Sequence, residues 1–332
     1  MSNPQAESVP KLTADLQNSV ANFKKAARDL SDQFRSEFPL KPPPTLYHYT
    51  TDAGLYGILE SGSLWLSDIF FLNDPSELRH GISLAVTVLK NLGIDSLPEG
   101  ELLKYAIANL GGPRITITGN YFSCSFSRNG NDLDQWRAYA DDGRGYSIAF
   151  DGISIDKAFC NSRDKSGASY PSAFPLTYDD QKLIGIFQQL ISSIKPISDA
   201  GSSDEMQLEY FKQITKELAR RIIFFSVHFK HVAYGNEEEY RLFEIIPVNG
   251  NSKMMLRAKA HELIRYREFN WREAGLIPKR ITIGPAADQE KAATFARKCI
   301  RGYDEDKIEI VESGIPYKSK LAWLLKSRAA TV

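Results

Sequence analysis

The chain has 332 residues, 42% of them hydrophobic, enough to build a substantial core in one large domain or two ordinary ones. Its 41 lysines and arginines balance 41 aspartates and glutamates, so no net field draws it to nucleic acid or an anionic membrane. Cys124, Cys160 and Cys299 lack zinc or redox spacing, residues Met1 to Pro10 are polar, and no run approaches the roughly 20 apolar residues that cross a bilayer, so neither export nor membrane insertion is expected.

These features predict a protein of the reducing cytosol, without a metal or a membrane partner. From Leu12 the apolar positions Leu16, Val20, Phe23, Ala27, Leu30, Phe34 and Phe38 recur at three- or four-residue steps, the stripe of a long amphipathic helix. Pro42, Pro43 and Pro44 stop it. Residues 1–44 therefore read as an N-terminal helix with a proline linker, its stripe packed on the main domain or on a second copy in a homo-oligomer. Residues 45–320 read as a single α+β domain, and 321–332 as a tail.

Within that domain, Leu46 to Tyr49 and Leu64 to Leu66 read as short strands around a helix at about 52–60. Asp74, Pro75 and Glu77 form a capping-box signal for a helix running to about Leu92. Residues 115–127 and 144–150 alternate as half-buried strands do, with a helix at Asp134 to Tyr139 between them. Residues 151–177, rich in serine, aspartate and glycine, read as a variable loop. Two helical stretches ending at Phe225 and a strand from Glu239 to Pro247 come next. The tail reads strand, helix, strand over Arg280–Ile283, Ala287–Ile300 and Lys307–Val311. Irregular alternation of these elements argues for a mixed, largely antiparallel sheet with surrounding helices over a doubly wound fold.

Several residues carry possible chemistry. A neutral His48 imidazole can donate to a ribose hydroxyl, and Tyr47 and Tyr49 offer flat faces for a base. Thr50 follows them, and Asn73 is left over by the capping box. Ser123 and Ser125 let a ligand approach the strand backbone, while Trp136, Tyr139, Arg137 and Arg144 could stack on or pair with a nucleotide. Glu237 and Glu239 share a face with Arg241 if the strand begins that early. One such carboxylate can stabilise a developing positive charge while the other orients an acceptor. The plainer readings are a backbone-satisfied histidine, an aromatic core and a solvated acidic turn. His228 and His231 lack an evident third metal ligand, and Gly284-Pro285 lacks the second glycine of a dinucleotide fingerprint.

On these residues the chain resembles the bacterial family called domain of unknown function 2971. The likeness rests on Tyr47-His48-Tyr49-Thr50, Asn73-Asp74-Pro75 with Glu77, and Phe122 to Ser127 followed by Trp136, Tyr139 and Gly145. Glu237 with Glu239 and Arg241, and Ile315-Pro316-Tyr317, complete it over about residues 45–318. More distantly the chain resembles ADP-ribosyltransferases, whose strand histidine, hydroxyl-bearing middle strand and late glutamate match His48, Ser123 or Ser125, and Glu239. Here Ser-Cys-Ser stands where that family has Ser-Thr-Ser.

That second resemblance implies a split sheet and NAD as cosubstrate. His48 would hold a ribose, Tyr49 or Trp136 would stack on nicotinamide, Glu239 would polarise the ribose hydroxyl, and Glu237 would help an acceptor. Thr50, Asn73, Ser123, Ser125, Tyr139, Arg144 and Arg241 complete the expected binding set. The expected function is thus ADP-ribosyl transfer, in bacterial defence or a toxin system, to a protein, nucleic acid or small-molecule acceptor. The alternative is a non-catalytic module that binds a nucleotide or a protein segment. The transferase reading requires His48, Ser125 and Glu239 to converge on one cleft, and it fails if their side chains lie on different faces.

Overall fold

The computed structural model describes residues 11–38, 41–71, 76–93, 100, 103–104, 119–162, 169–194, 203–247, 250, 253–259 and 261–318. In chain order the elements used below are α1 (Ala14–Ser36), β1 (Thr45–Thr50), α2 (Asp52–Ser61), β2 (Ser63–Asp68), α3 (Ser76–Asn91), β3 (Asn120–Ser127) and α4 (Leu133–Tyr139). They continue with β4 (Tyr146–Asp151), α5 (Gly152–Cys160), β5 (Tyr170–Pro175), α6 (Asp180–Ser192), α7 (Asp204–Ser226) and β6 (Glu239–Ile246). The last are β7 (Met255–Lys259), β8 (Glu262–Asn270), β9 (Arg280–Ile283), α8 (Gln289–Cys299) and β10 (Glu309–Glu312). The fold is α+β, and the chain divides into two compact units, one helical and one built on the sheet.

The helical unit contains α1, α3, α6 and α7. The Thr13 hydroxyl accepts the Leu16 amide at 3.3 Å and starts α1, satisfying one of the amides a helix N-terminus leaves open. The α1 stripe buries Leu16, Val20, Phe23, Ala27 and Phe34, and Phe34 meets Phe225 edge-on at 5.5 Å. Arg221 of α7 donates to the Ser31 hydroxyl at 2.8 Å, so the stripe has its partner in the same chain. His228 donates from Nδ1 to the Phe224 carbonyl at 2.6 Å and stacks on Phe38. Among the described residues no group of three or more His, Cys, Asp or Glu side chains could hold a metal, and no helix is long and apolar enough to cross a membrane.

The sheet unit runs in the order β10-β9-β4-β1-β3-β2-β8-β7, with β6 joining β3 and β5 joining β6. Its pairs are antiparallel except β9 with β10, which are parallel and joined through α8. The strand, helix, strand reading of the tail is thereby a parallel crossover. One face is the main core: Leu46, Phe122, Phe126, Ile148, Phe150 and Leu242 pack with Leu55 and Leu59 of α2, Ile155 and Phe159 of α5, and Ala292 and Ala296 of α8.

The described parts of residues 151–177 form a helix and a strand where the sequence suggested a loop. Asp151 accepts the Ser154 amide at 2.9 Å and caps α5, whose Ile155 and Phe159 are four apart and buried. Proline is tolerated in β5 because, among the described strands, β5 pairs only with β6 and so needs fewer ladder donors. The hairpin of β7 and β8 was not among the strands the sequence predicted. Asp74 and Pro75 of the expected capping box lie outside the described residues.

Candidate functional site

The polar centre of the sheet unit is built where three strands meet on β3. The Arg128 amide donates to the Glu238 carbonyl at 3.1 Å, which fixes the phase of the β3–β6 ladder: even-numbered residues of β3 bond toward β6 and odd-numbered ones toward the other edge. That other edge is shared. Tyr47 of β1 pairs with Ser127, while Ser67 of β2 pairs with Ser123. The sheet therefore forks at Ser125, whose carbonyl points into the gap.

His48 fills the fork, with Nδ1 3.0 Å from the Ser125 carbonyl oxygen. A carbonyl only accepts, so the proton sits on Nδ1 and Nε2 is the acceptor of the neutral ring. Burial lowers the His48 pKa from its ordinary value, and the bond to Ser125 partly offsets this. The ring lies beside the thiol of Cys124, 4.0 Å from Nδ1, and beside Phe126, 5.5 Å between ring centres. Burial first, and the Glu239 charge second, push that thiol up to about 12.

Ser125 points its own side chain the other way. Its hydroxyl donates to Glu239 Oε1 at 2.6 Å, and the same oxygen accepts Arg241 Nε at 2.7 Å. Ser125 is exposed, whereas Glu239 and Arg241 are 4% and 3% exposed. Cross-strand partners share a face, and the register Ser127 with Glu239 and Ser125 with Arg241 puts all four on one side. Cys124 and Phe126 alternate to the opposite side, and the His48 ring is with them. The structure thus gathers Ser125, Glu239 and Arg241 on one face and leaves His48 on the other.

Glu237 does not continue the register of Glu239 and Arg241. The strand begins only at Glu239, Glu237 ends a 3-10 turn, and Glu238 has φ +44, which breaks the two-residue period. The Glu237 carbonyl accepts the Ser127 hydroxyl at 2.9 Å, and its carboxylate accepts the Tyr139 hydroxyl at 3.3 Å.

The remaining predicted residues are distributed as follows. Tyr49 donates its hydroxyl to the Asn129 carbonyl at 2.8 Å and accepts the Asp132 amide at 3.0 Å. Its ring meets Trp136 edge-on at 4.9 Å, and Trp136 is fully buried with Nε1 bonded to Asn131 at 2.9 Å. These two rings are packed on each other within a small core. Thr50 is buried, with Gly54 flush against its hydroxyl. Ser123 is buried, and its hydroxyl has no hydrogen-bond partner among the described residues. Arg144 turns back on its own loop, donating to Asp141 Oδ1 at 2.7 Å. Asn73 lies outside the described residues.

Sequence reasoning missed a cleft of about 470 Å³ at the β1, β3 and β6 strand ends, lined by Lys41, Pro43, Tyr47, Arg128, Pro175 and Tyr240 among others. Neither His48 nor Glu239 lines it. Among the described residues, Lys41 and Arg128 have no ion-pair partner. Tyr240 donates its hydroxyl to Asp156 at 2.6 Å, and burial raises the Tyr240 pKa further from the physiological range. Gly130 leaves no room for a Cβ against the Tyr47 ring, and Gly152 donates its amide to the Pro44 carbonyl at 3.1 Å. Both contacts hold the cleft walls in place. Lys41 beside three prolines, and Arg128 closing a serine-rich strand, were the available signals.

Residues 135–242 match the family model described as protein of unknown function, DUF2971, which supports the family resemblance over a segment running from α4 into β6. The matched segment is less than half of the 332-residue chain. No curated protein and no solved structure matches the chain.

Proposed function

We propose that this chain is a nucleotide-binding regulatory module whose sheet unit carries the ligand site and does not transfer ADP-ribose. The observation that carries this reading is the separation of His48 from Glu239 by the plane of the sheet. On the Glu239 face only Ser125 of these residues is exposed to a ligand, and the His48 ring is turned toward Cys124 and Phe126 on the other. Glu239 is also engaged by both Arg241 and Ser125, as in a structural ion pair. The cleft, with two cations that have no ion-pair partner among the described residues, offers a ligand a better-supplied surface.

Calorimetry of the full chain against NAD, ADP-ribose and ATP, with nicotinamide release followed in parallel, tests the proposal. Binding without nicotinamide release supports it. Release of nicotinamide, or transfer of label from NAD to any component of a lysate, overturns it.

One observation favours the transferase as the second reading: Ser125 and Glu239 lie on adjacent strands and are joined at 2.6 Å, so a hydroxyl aims the carboxylate. Such an enzyme would rely on Glu239 to stabilise charge and would use His48 only to hold the Ser125 backbone. Glu239→Gln would then lower transfer by roughly two or more orders of magnitude.

A further inference from the structure

We infer that the 470 Å³ cleft binds a nucleoside monophosphate, its phosphate held between Lys41 and Arg128 and its base against Tyr47 and the flanking prolines. The inference rests on the nucleotide-binding reading and names the ligand of that module.

The size fits. Small-molecule sites run from about 300 to 1,000 Å³, and this cleft lies toward the lower end, the scale of a mononucleotide. The charge fits as well. Two cations without a partner in the described structure face one concavity, and a phosphate supplies the missing charge through short, charge-assisted hydrogen bonds. The arginine adds a planar fork that matches phosphate oxygens two at a time. The Tyr240 hydroxyl is already committed to Asp156, so Lys41 and Arg128 are the groups that supply the phosphate's partners.

The walls select a flat, partly apolar group. Tyr47 is held from behind by Gly130, where any side chain would strike its ring. Pro43 and Pro175 are rigid, and Pro43 is fixed by the close approach of Gly152 to its carbonyl. A ring that is already immobilised loses little entropy when a base stacks on it. A sugar phosphate satisfies the two cations but leaves these flat walls unused.

Calorimetry of the full chain with AMP, adenosine and inorganic phosphate tests the inference, with Arg128→Ala, Lys41→Ala and Tyr47→Leu as variants. AMP should bind more tightly than either fragment, and its affinity should fall as salt rises. Arg128→Ala should weaken AMP about tenfold or more, and Tyr47→Leu should weaken AMP and adenosine but not phosphate. Arg128 is exposed, so its variant should fold, which a thermal melt checks. Inorganic phosphate binding as tightly as AMP overturns the base assignment. AMP binding unchanged in Arg128→Ala and Lys41→Ala overturns the cleft while leaving the nucleotide-binding reading intact. Failure of the wild type to bind AMP, ATP or NAD overturns both.

Discussion

His48 and Glu239 bond to the same residue from opposite faces of the sheet: the imidazole takes the Ser125 carbonyl at 3.0 Å and the carboxylate takes its hydroxyl at 2.6 Å. The Ser125 carbonyl lies in the sheet plane, open to a ring from either side, while its side chain stands on the Glu239 face; His48 reaches it from the face of Cys124 and Phe126. Ser125 is therefore a junction between two structural networks, and changing one should leave the other standing.

The Glu239–Arg241 pair should be structural. Both residues are almost wholly buried, and removing one partner of a buried pair strands the other charge at a cost of about 3 kcal/mol or more. Glu239→Gln should lower the urea midpoint accordingly, and adding Arg241→Met should recover much of the loss. A single variant as stable as wild type would show that the pair contributes nothing to the fold.

His48 should make stability depend on pH near neutrality. Its pKa is lowered by burial from 6.5, so on acidification the unfolded chain takes up the proton first. The contribution is complete above the unfolded pKa and is lost as pH falls through the folded one. His48→Gln, which keeps a donor for Ser125, should therefore lose less stability than wild type between about pH 7 and pH 5. Equal slopes in denaturation titrations would contradict the neutral imidazole held on Ser125.

Much of this was legible in the sequence, for local reasons. The α1 stripe, β6 and the β9–α8–β10 crossover each announce themselves by a period of 3.6 or 2. The α5 and β5 elements did not, because serines and glycines surround few buried side chains: Ile155 and Phe159 in α5 and Phe174 with two prolines in β5. The parity of Glu237 was hidden by the positive φ of Glu238, a backbone choice that its side chain does not advertise. The face of His48 was hidden too, since alternation along β1 says nothing of which side of β3 it joins. Lys41 and Arg128 belong to distant parts of the chain and meet only through the order of the strands.

Cys124 should be chemically silent in the folded protein. Its thiol is buried and pushed up to about 12, so almost none is thiolate at neutral pH, and the thiolate is the reactive form. Iodoacetamide should label it only after unfolding. Peptide mapping that finds Cys124 alkylated in the native protein would contradict its place beside His48.

Gly152 should be intolerant of a side chain. A Cβ there would run into the Pro43 carbonyl, and overpacking of this kind costs about 1–3 kcal/mol. Gly152→Ala should lower the melting temperature and, by displacing the proline wall, weaken AMP. A variant that melts with wild type would mean the proline segment can move aside freely.

The most direct test of the central claim is nicotinamide release from labelled NAD by the full-length wild-type protein in the presence of cell lysate. A module with His48 and Glu239 on opposite faces predicts no release above the buffer control, although nucleotide binds. Release by wild type that disappears in Glu239→Gln would contradict it and return Glu239 to a catalytic role.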